Sequence, residues 1–141
     1  MSLSACEITI LPNGGALLTF SNGNKEWHLN NKLHRTDGPA FEGANGTKCW
    51  YLNGKVHRTD GPAVEYVNGN KYWYLNGELH RTDGPAIEGA NGDKHWYLNG
   101  ERHRTDGPAI EYASGGKYWH INGKEYTEED FNIIKEVLWA I

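Results

Sequence analysis

Apolar and polar residues alternate along this chain in short runs, and Asn-Gly pairs interrupt the runs. Trp73-Tyr74-Leu75 leads through Asn76-Gly77 into Glu78-Leu79-His80, and Pro62–Val67 leads through Asn68-Gly69 into Lys71–Leu75. Asn-Gly between short aromatic or β-branched runs is the strongest short-range hairpin signal, because both residues accept the positive φ of a type I′ turn. Each Trp-bearing strand should therefore pair with the strand before it and the strand after it. The pattern also recurs. Trp27, Trp50, Trp73, Trp96 and Trp119 stand 23 residues apart, and His-Arg-Thr-Asp-Gly-Pro-Ala begins unchanged at His34, His57, His80 and His103. Self-similarity this strict makes each repeat one supersecondary unit that buries its apolar face only by stacking on its neighbours. The predicted fold is all-β: an elongated array of 23-residue β-hairpin repeats, a meander or solenoid, with a C-terminal capping α-helix.

If both Asn-Gly pairs form two-residue loops, the register follows. Val64, Trp73 and His80 share a row on the face of Leu75, while Glu65, Tyr72 and Arg81 share a row on the other face, followed by Ala63, Tyr74 and Leu79. Variation among the repeats selects the buried face. The Trp face carries Phe41, Val64, Ile87 or Ile110, whereas the Tyr72 position is Glu26, Cys49, His95 or Tyr118 elsewhere. The Trp residues are thus expected in the core. The heptapeptide reads as a structural corner. Gly84 supplies backbone freedom, Pro85 fixes φ, and Asp83 can accept local backbone N–H bonds. Arg81 is placed to brace that bend through Asp83, and Asp37, Asp60 and Asp106 repeat the arrangement.

The two ends depart from the repeat. Residues 1–26 read as a degenerate N-terminal capping repeat, since Gly15–Lys25 aligns with Gly61–Lys71 and Cys6–Leu11 alternates like a strand. Residues 27–123 hold four repeats and a partial fifth, and residues 124–141 form the capping helix. There Thr127 stands as N-cap, acids fill the first turn, and Phe131, Ile134, Leu138 and Ile141 recur at helical spacing with Val137 beside them. A docking helix for a partner is the alternative. A slower rhythm spans 46 residues: Tyr66 and Tyr112 follow Glu65 and Glu111, where Gly43 and Gly89 follow Glu42 and Glu88.

Composition narrows the function classes. The 141 residues fit one domain, with six Trp, eight Tyr and three Phe to anchor it. A net charge of −4 argues against general nucleic-acid binding. No apolar run is long enough to span a bilayer, and no signal sequence opens the chain. Cys6 and Cys49 make neither a disulfide framework nor a zinc motif, so a reduced, cytoplasmic protein is expected.

The candidate chemistry is periodic. His34, His57, His80 and His103 form a ladder, but metal binding needs ligands that converge, so neutral core imidazoles beside Trp are expected, with no metal and no cofactor. Asp37, Asp60, Asp83 and Asp106, with Glu42, Glu65, Glu88 and Glu111, could pair as hydrolase carboxylates. An active site needs one asymmetric constellation, however, and no nucleophile elbow, P-loop or dinucleotide fingerprint is present. An enzyme is not expected. Arg35, Arg58, Arg81 and Arg104 are assigned to the outer face with Tyr51, Tyr74 and Tyr97, a combination that binding surfaces favour. The competing reading has each Arg tied to its own Asp or Glu.

The 23-residue period, the Gly-rich hairpins and the Trp-Tyr-Leu-Asn-Gly and Asp-Gly-Pro-Ala segments resemble MORN and MORN-variant repeats over roughly residues 15–123. The variant form found in bacterial and phage chains is the nearer likeness, because typical MORN repeats lack the heptapeptide. The resemblance implies hairpin modules used as scaffolds in protein interaction and, in some members, proposed for lipid contact. Choline-binding repeats are similar in their Trp-Tyr hairpins but belong to surface proteins. Three functions are therefore expected in order: a non-enzymatic scaffold for protein–protein interaction; a protein that sequesters an anionic small molecule, such as a nucleotide, between repeats; and a lipid- or membrane-surface module.

Overall fold

The computed structural model describes residues 6–139. It divides into two units with the boundary between Gly77 and Glu78, each built mainly from antiparallel hairpins. Among the described residues the single helix is Glu128–Trp139. The hairpin repeat architecture with one C-terminal helix matches the expectation from periodicity.

In the first unit, Cys6–Ile10, Ala16–Phe20 and Lys25–Leu29 form a three-stranded meander, with Ile8 opposite Leu18 and Leu17 opposite Trp27. The sheet continues in short steps through Phe41–Glu42, Lys48–Cys49, Val64–Glu65 and Lys71–Tyr72. Beside it lies a separate two-stranded hairpin, Tyr51–Leu52 with Lys55–Val56. The second unit repeats this plan. Ile87–Glu88, Lys94–His95, Ile110–Glu111, Lys117–Ile121 and Lys124–Tyr126 form its sheet, and Tyr97–Leu98 with Glu101–Arg102 its side hairpin.

The two Asn-Gly signals build different turns. At Asn53-Gly54 both residues have positive φ (51° and 80°), and Leu52 faces Lys55 across a two-residue loop, as expected. At Asn68-Gly69 only the glycine is left-handed (φ 96°). There Gly69 N–H donates to the Tyr66 carbonyl (2.9 Å) and Tyr66 N–H to the Asn70 carbonyl (3.0 Å), leaving a three-residue loop. This is a type I turn closed by a left-handed glycine. The Asn68 side chain caps it by accepting from Asn70 N–H (3.0 Å).

That extra loop residue shifts the register by one. Val64 faces Tyr72, not Trp73, and in the same way Phe41 faces Cys49 and Ile110 faces Tyr118. A slip of one residue exchanges the faces of a strand, because the side-chain period is two. The expected core is corrected accordingly. Trp27, Trp50, Trp73, Trp96 and Trp119 are all half-buried, and Ala40, Ala63, Ala86 and Ala109, the last residue of each heptapeptide, have no exposed surface. Val64 and Ile110 are buried beside them. Trp50 sits where the strand breaks between sheet and side hairpin. Its N–H donates to the Ala63 carbonyl (2.8 Å), and its own carbonyl accepts from His57 N–H (3.0 Å). Trp96 makes the same two bonds with Ala109 and His103.

The terminal helix caps the last hairpin. Thr127 Oγ1 accepts from Asp130 N–H (3.1 Å), which satisfies one of the free donors of the first turn. Phe131, at 1% exposure, packs the helix against Lys117–Ile121 and Lys124–Tyr126. Ile134 is half-buried, while Ile133 and Val137 face solvent. The Leu138 side chain and Ile141, also assigned to the apolar stripe, lie outside the described residues.

Candidate binding grooves between the repeat corners

Each heptapeptide folds into a corner around its arginine. Arg58 Nε donates to Asp60 Oδ1 (2.9 Å), and its Nη1 donates to the Pro62 carbonyl (3.0 Å) and Glu65 Oε1 (3.4 Å). The guanidinium carbon stands over Trp50, 3.8 Å from the ring centroid. Arg35 sits over Trp27 at 3.9 Å and Arg104 over Trp96 at 3.8 Å, each with the equivalent Asp, Pro and Glu partners. Arg81 reaches Asp83, the Pro85 carbonyl and Glu88 in the same way. The expected placement of arginine on a face opposite Trp is therefore corrected, and the bracing role toward Asp is what the geometry carries.

The corner glycine has a different purpose from the one its neighbours suggested. Gly38, Gly61, Gly84 and Gly107 do not adopt left-handed φ. A Cβ on Gly38 would stand 2.9 Å from Arg35 Cζ, and one on Gly84 would stand 3.0 Å from Arg81 Cζ. Only glycine lets the guanidinium fold onto the backbone. Hydrogen bonds from the arginines hold the carboxyls of Asp37, Asp60 and Asp83 below the usual range. These carboxylates are nonetheless about four-fifths exposed, so their salt bridges shape the corner more than they stabilise it.

The histidine ladder ties successive side hairpins together. Nδ1 of His34, His57, His80 and His103 accepts from the backbone N–H of Asn53, Asn76, Asn99 and Asn122, each at 3.0 Å. An accepting Nδ1 makes each ring the neutral tautomer with its proton on Nε2. Beside these bonds run Gly54 N–H to the Leu33 carbonyl (2.9 Å) and Gly123 N–H to the Arg102 carbonyl (2.8 Å). The imidazoles are half-buried cross-links between hairpins, not core fillers. Among the described residues no three His, Cys, Asp or Glu side chains converge as a metal site.

Between consecutive corners a groove opens. In the first unit it has a volume of about 690 Å³, with walls at Arg35–Gly38 and Arg58–Asp60 and a floor of Trp50, Leu52 and His57. In the second unit a groove of about 520 Å³ has walls at Arg81–Gly84 and Arg104–Asp106, over Trp96, Leu98 and His103. The four arginines assigned from sequence line these grooves. Tyr51, Tyr74 and Tyr97 do not; all three are half-buried. Burial and the neighbouring Cys49 push the Tyr51 phenol up, and the Tyr97 hydroxyl accepts from Arg102 Nε (3.2 Å).

Sequence reasoning passed over Thr36, Thr59, Thr82 and Thr105. Their side chains line the groove walls, are exposed, and make no hydrogen bond among the described residues. The signal was present: a threonine kept in all four copies at a position the fold leaves unused. Compared with known proteins, the chain matches no family model and no curated protein.

Proposed function

We propose that this chain is a non-enzymatic repeat scaffold for protein–protein interaction, and that it takes an extended polypeptide segment into the grooves between its corners. One observation carries the reading. The same groove is built independently in both units, with an apolar Trp-Leu floor and walls whose threonine hydroxyls the fold does not use. Repetition of one site suits a polymeric partner better than a single reaction centre. Kinship with MORN-variant repeats, resting on the Trp-Tyr-Leu-Asn-Gly and Asp-Gly-Pro-Ala segments, belongs to the same proposal, as does a reduced cytoplasmic setting for Cys6 and Cys49.

Sequestration of an anionic small molecule is less favoured, because each guanidinium already meets two carboxylates, as Arg58 meets Asp60 and Glu65. A surface module for anionic lipid meets the same objection and a net charge of −4. Among the described residues no helix is long and apolar enough to cross a membrane.

The test is site-specific photo-cross-linking in cells of the source organism. A benzophenone side chain at Leu52 or Leu98 should join a polypeptide and add kilodaltons of mass, while the same group at Tyr66 or Tyr112 should not. Adducts at the tyrosines with none at the leucines would overturn the reading.

A further inference from the structure

The shape and charge of the grooves point to one backbone conformation in the partner. The inference rests on the binding role proposed above and specifies what is bound. Within the first unit the corners at Asp37 and Asp60 lead into Phe41–Glu42 and Val64–Glu65, which lie two strands apart with Lys48–Cys49 between them. Adjacent strands are about 4.8 Å apart, so neighbouring corners repeat at roughly 9.6 Å. A polyproline II helix rises about 3.1 Å per residue and turns once in three residues, which returns the same face every ~9.3 Å. A β-strand presents one face only at even spacings, about 6.8 or 13.6 Å, and misses this period. An α-helix returns a face after seven residues, at about 10.5 Å, and overshoots it.

The chemistry agrees with the spacing. Trp50 and Leu52 give an apolar floor of the kind that pyrrolidine rings fill, since proline-rich segments dock in aromatic-lined grooves. His57 Nδ1 accepts from Asn76 N–H, so the ring donor is Nε2–H, on a side chain that lines the groove. A polyproline II backbone has no internal hydrogen bonds and offers its carbonyls outward. Each corner also sets two carboxylates against one guanidinium, and the Asp60 side chain remains 81% exposed. Arg58 is only 21% exposed and lies against Trp50, so the charge that the groove wall presents to solvent is the aspartate carboxylate, and the complementary side chain is basic. Groove two repeats every part of this with Trp96, Leu98, His103 and Asp106.

We propose that each groove binds one turn of a polyproline II segment that carries Lys or Arg three residues apart, one basic side chain at each flanking aspartate.

Fluorescently labelled synthetic peptides test this by anisotropy with the whole chain. (Lys-Pro-Pro)₄ should bind at least tenfold more tightly than (Lys-Pro)₆, which has basic residues at spacing two, and than (Glu-Pro-Pro)₄ or (Lys-Gly-Gly)₄. Asp37→Asn, Asp60→Asn, Asp83→Asn and Asp106→Asn together keep an acceptor for each arginine. This variant should weaken binding of (Lys-Pro-Pro)₄ tenfold or more while its melting curve confirms the fold. Equal binding of the spacing-two or glycine peptides would overturn the inference, as would absence of binding by all four, or capture of a linear oligosaccharide with no peptide bound. The cross-links from Leu52 and Leu98 are read separately. Their presence without peptide preference would leave the scaffold reading standing and remove only the conformation of its partner.

Discussion

The corner side and the turn side of each repeat answer to different constraints. At the corner, His-Arg-Thr-Asp-Gly-Pro-Ala is identical in four copies, and nearly every residue has an assigned contact. Alanine fills a site with no exposed surface, arginine lies on tryptophan, glycine clears the guanidinium, and histidine holds the next hairpin. On the turn side, the residues facing Phe41, Val64, Ile87 and Ile110 are Cys49, Tyr72, His95 and Tyr118, three residue types that differ in size and polarity. Tyrosine rings meet edge to face there, the exposed Tyr66 with the half-buried Tyr72 at 5.5 Å and the exposed Tyr112 with the exposed Tyr118 at 5.8 Å. The difference teaches that identity between repeats follows interlocking contacts rather than burial alone. Threonine is the exception at the corner, identical although its side chain makes no hydrogen bond among the described residues, and that is why it marks the groove.

The contrast predicts a ranking of stability losses. Trp50→Ala removes the ring beneath Arg58 and the apolar joint between sheet and hairpin. For a half-buried tryptophan the expected cost is about 2–4 kcal/mol, measured by urea denaturation. A cost near zero would place Trp50 on a free binding surface instead. Ala63→Leu forces three extra carbons into a site with no exposed surface and should cost about 1–3 kcal/mol by overpacking. If it is neutral, the alanine column is not the tight point of the corner. Tyr66→Ala, on the turn side, should cost about 0.5–1 kcal/mol, the loss of one ring pair. A loss as large as that of Trp50→Ala would erase the distinction between the two sides.

How much of this was legible in the sequence depended on whether a signal was local. The repeat period follows from exact recurrence of the heptapeptide, and the Asn53-Gly54 turn, the Thr127 cap and the pairing of Arg81 with Asp83 follow from residues within a few positions of one another. The turn at Asn68-Gly69 did not, because the same dipeptide supports two loop lengths. The choice rests on whether asparagine takes a left-handed conformation itself or caps the loop with its side chain, as Asn68 does toward Asn70. That single ambiguity shifted the register and hid the contact of arginine with tryptophan. The grooves were hidden for the same reason, since their walls come from corners one repeat apart.

The smallest expected effect is a difference in pH response. His120 is 5% exposed, and burial holds its pKa below the usual imidazole value. The unfolded chain therefore takes up the proton first, so stability present above about pH 6.5 declines as pH falls through the lowered value. The equivalent position is tyrosine in the three central repeats (Tyr51, Tyr74 and Tyr97). His120→Tyr should flatten the melting-temperature profile between pH 7.5 and 5, and an unchanged profile would exclude His120 as a source of acid sensitivity.

The division of labour within the corner is tested most directly by one double variant, Thr59→Arg with Thr105→Arg, read by thermal melting and by cross-linking from Leu52 and Leu98. Exposed substitutions away from packed features change stability by about 0.5 kcal/mol or less. The account predicts a melting temperature within a few degrees of the parent chain and at least a fivefold loss of partner adducts, because a large cation then stands in each groove. A protein that melts much earlier, or one that keeps its adducts at full yield, would contradict it.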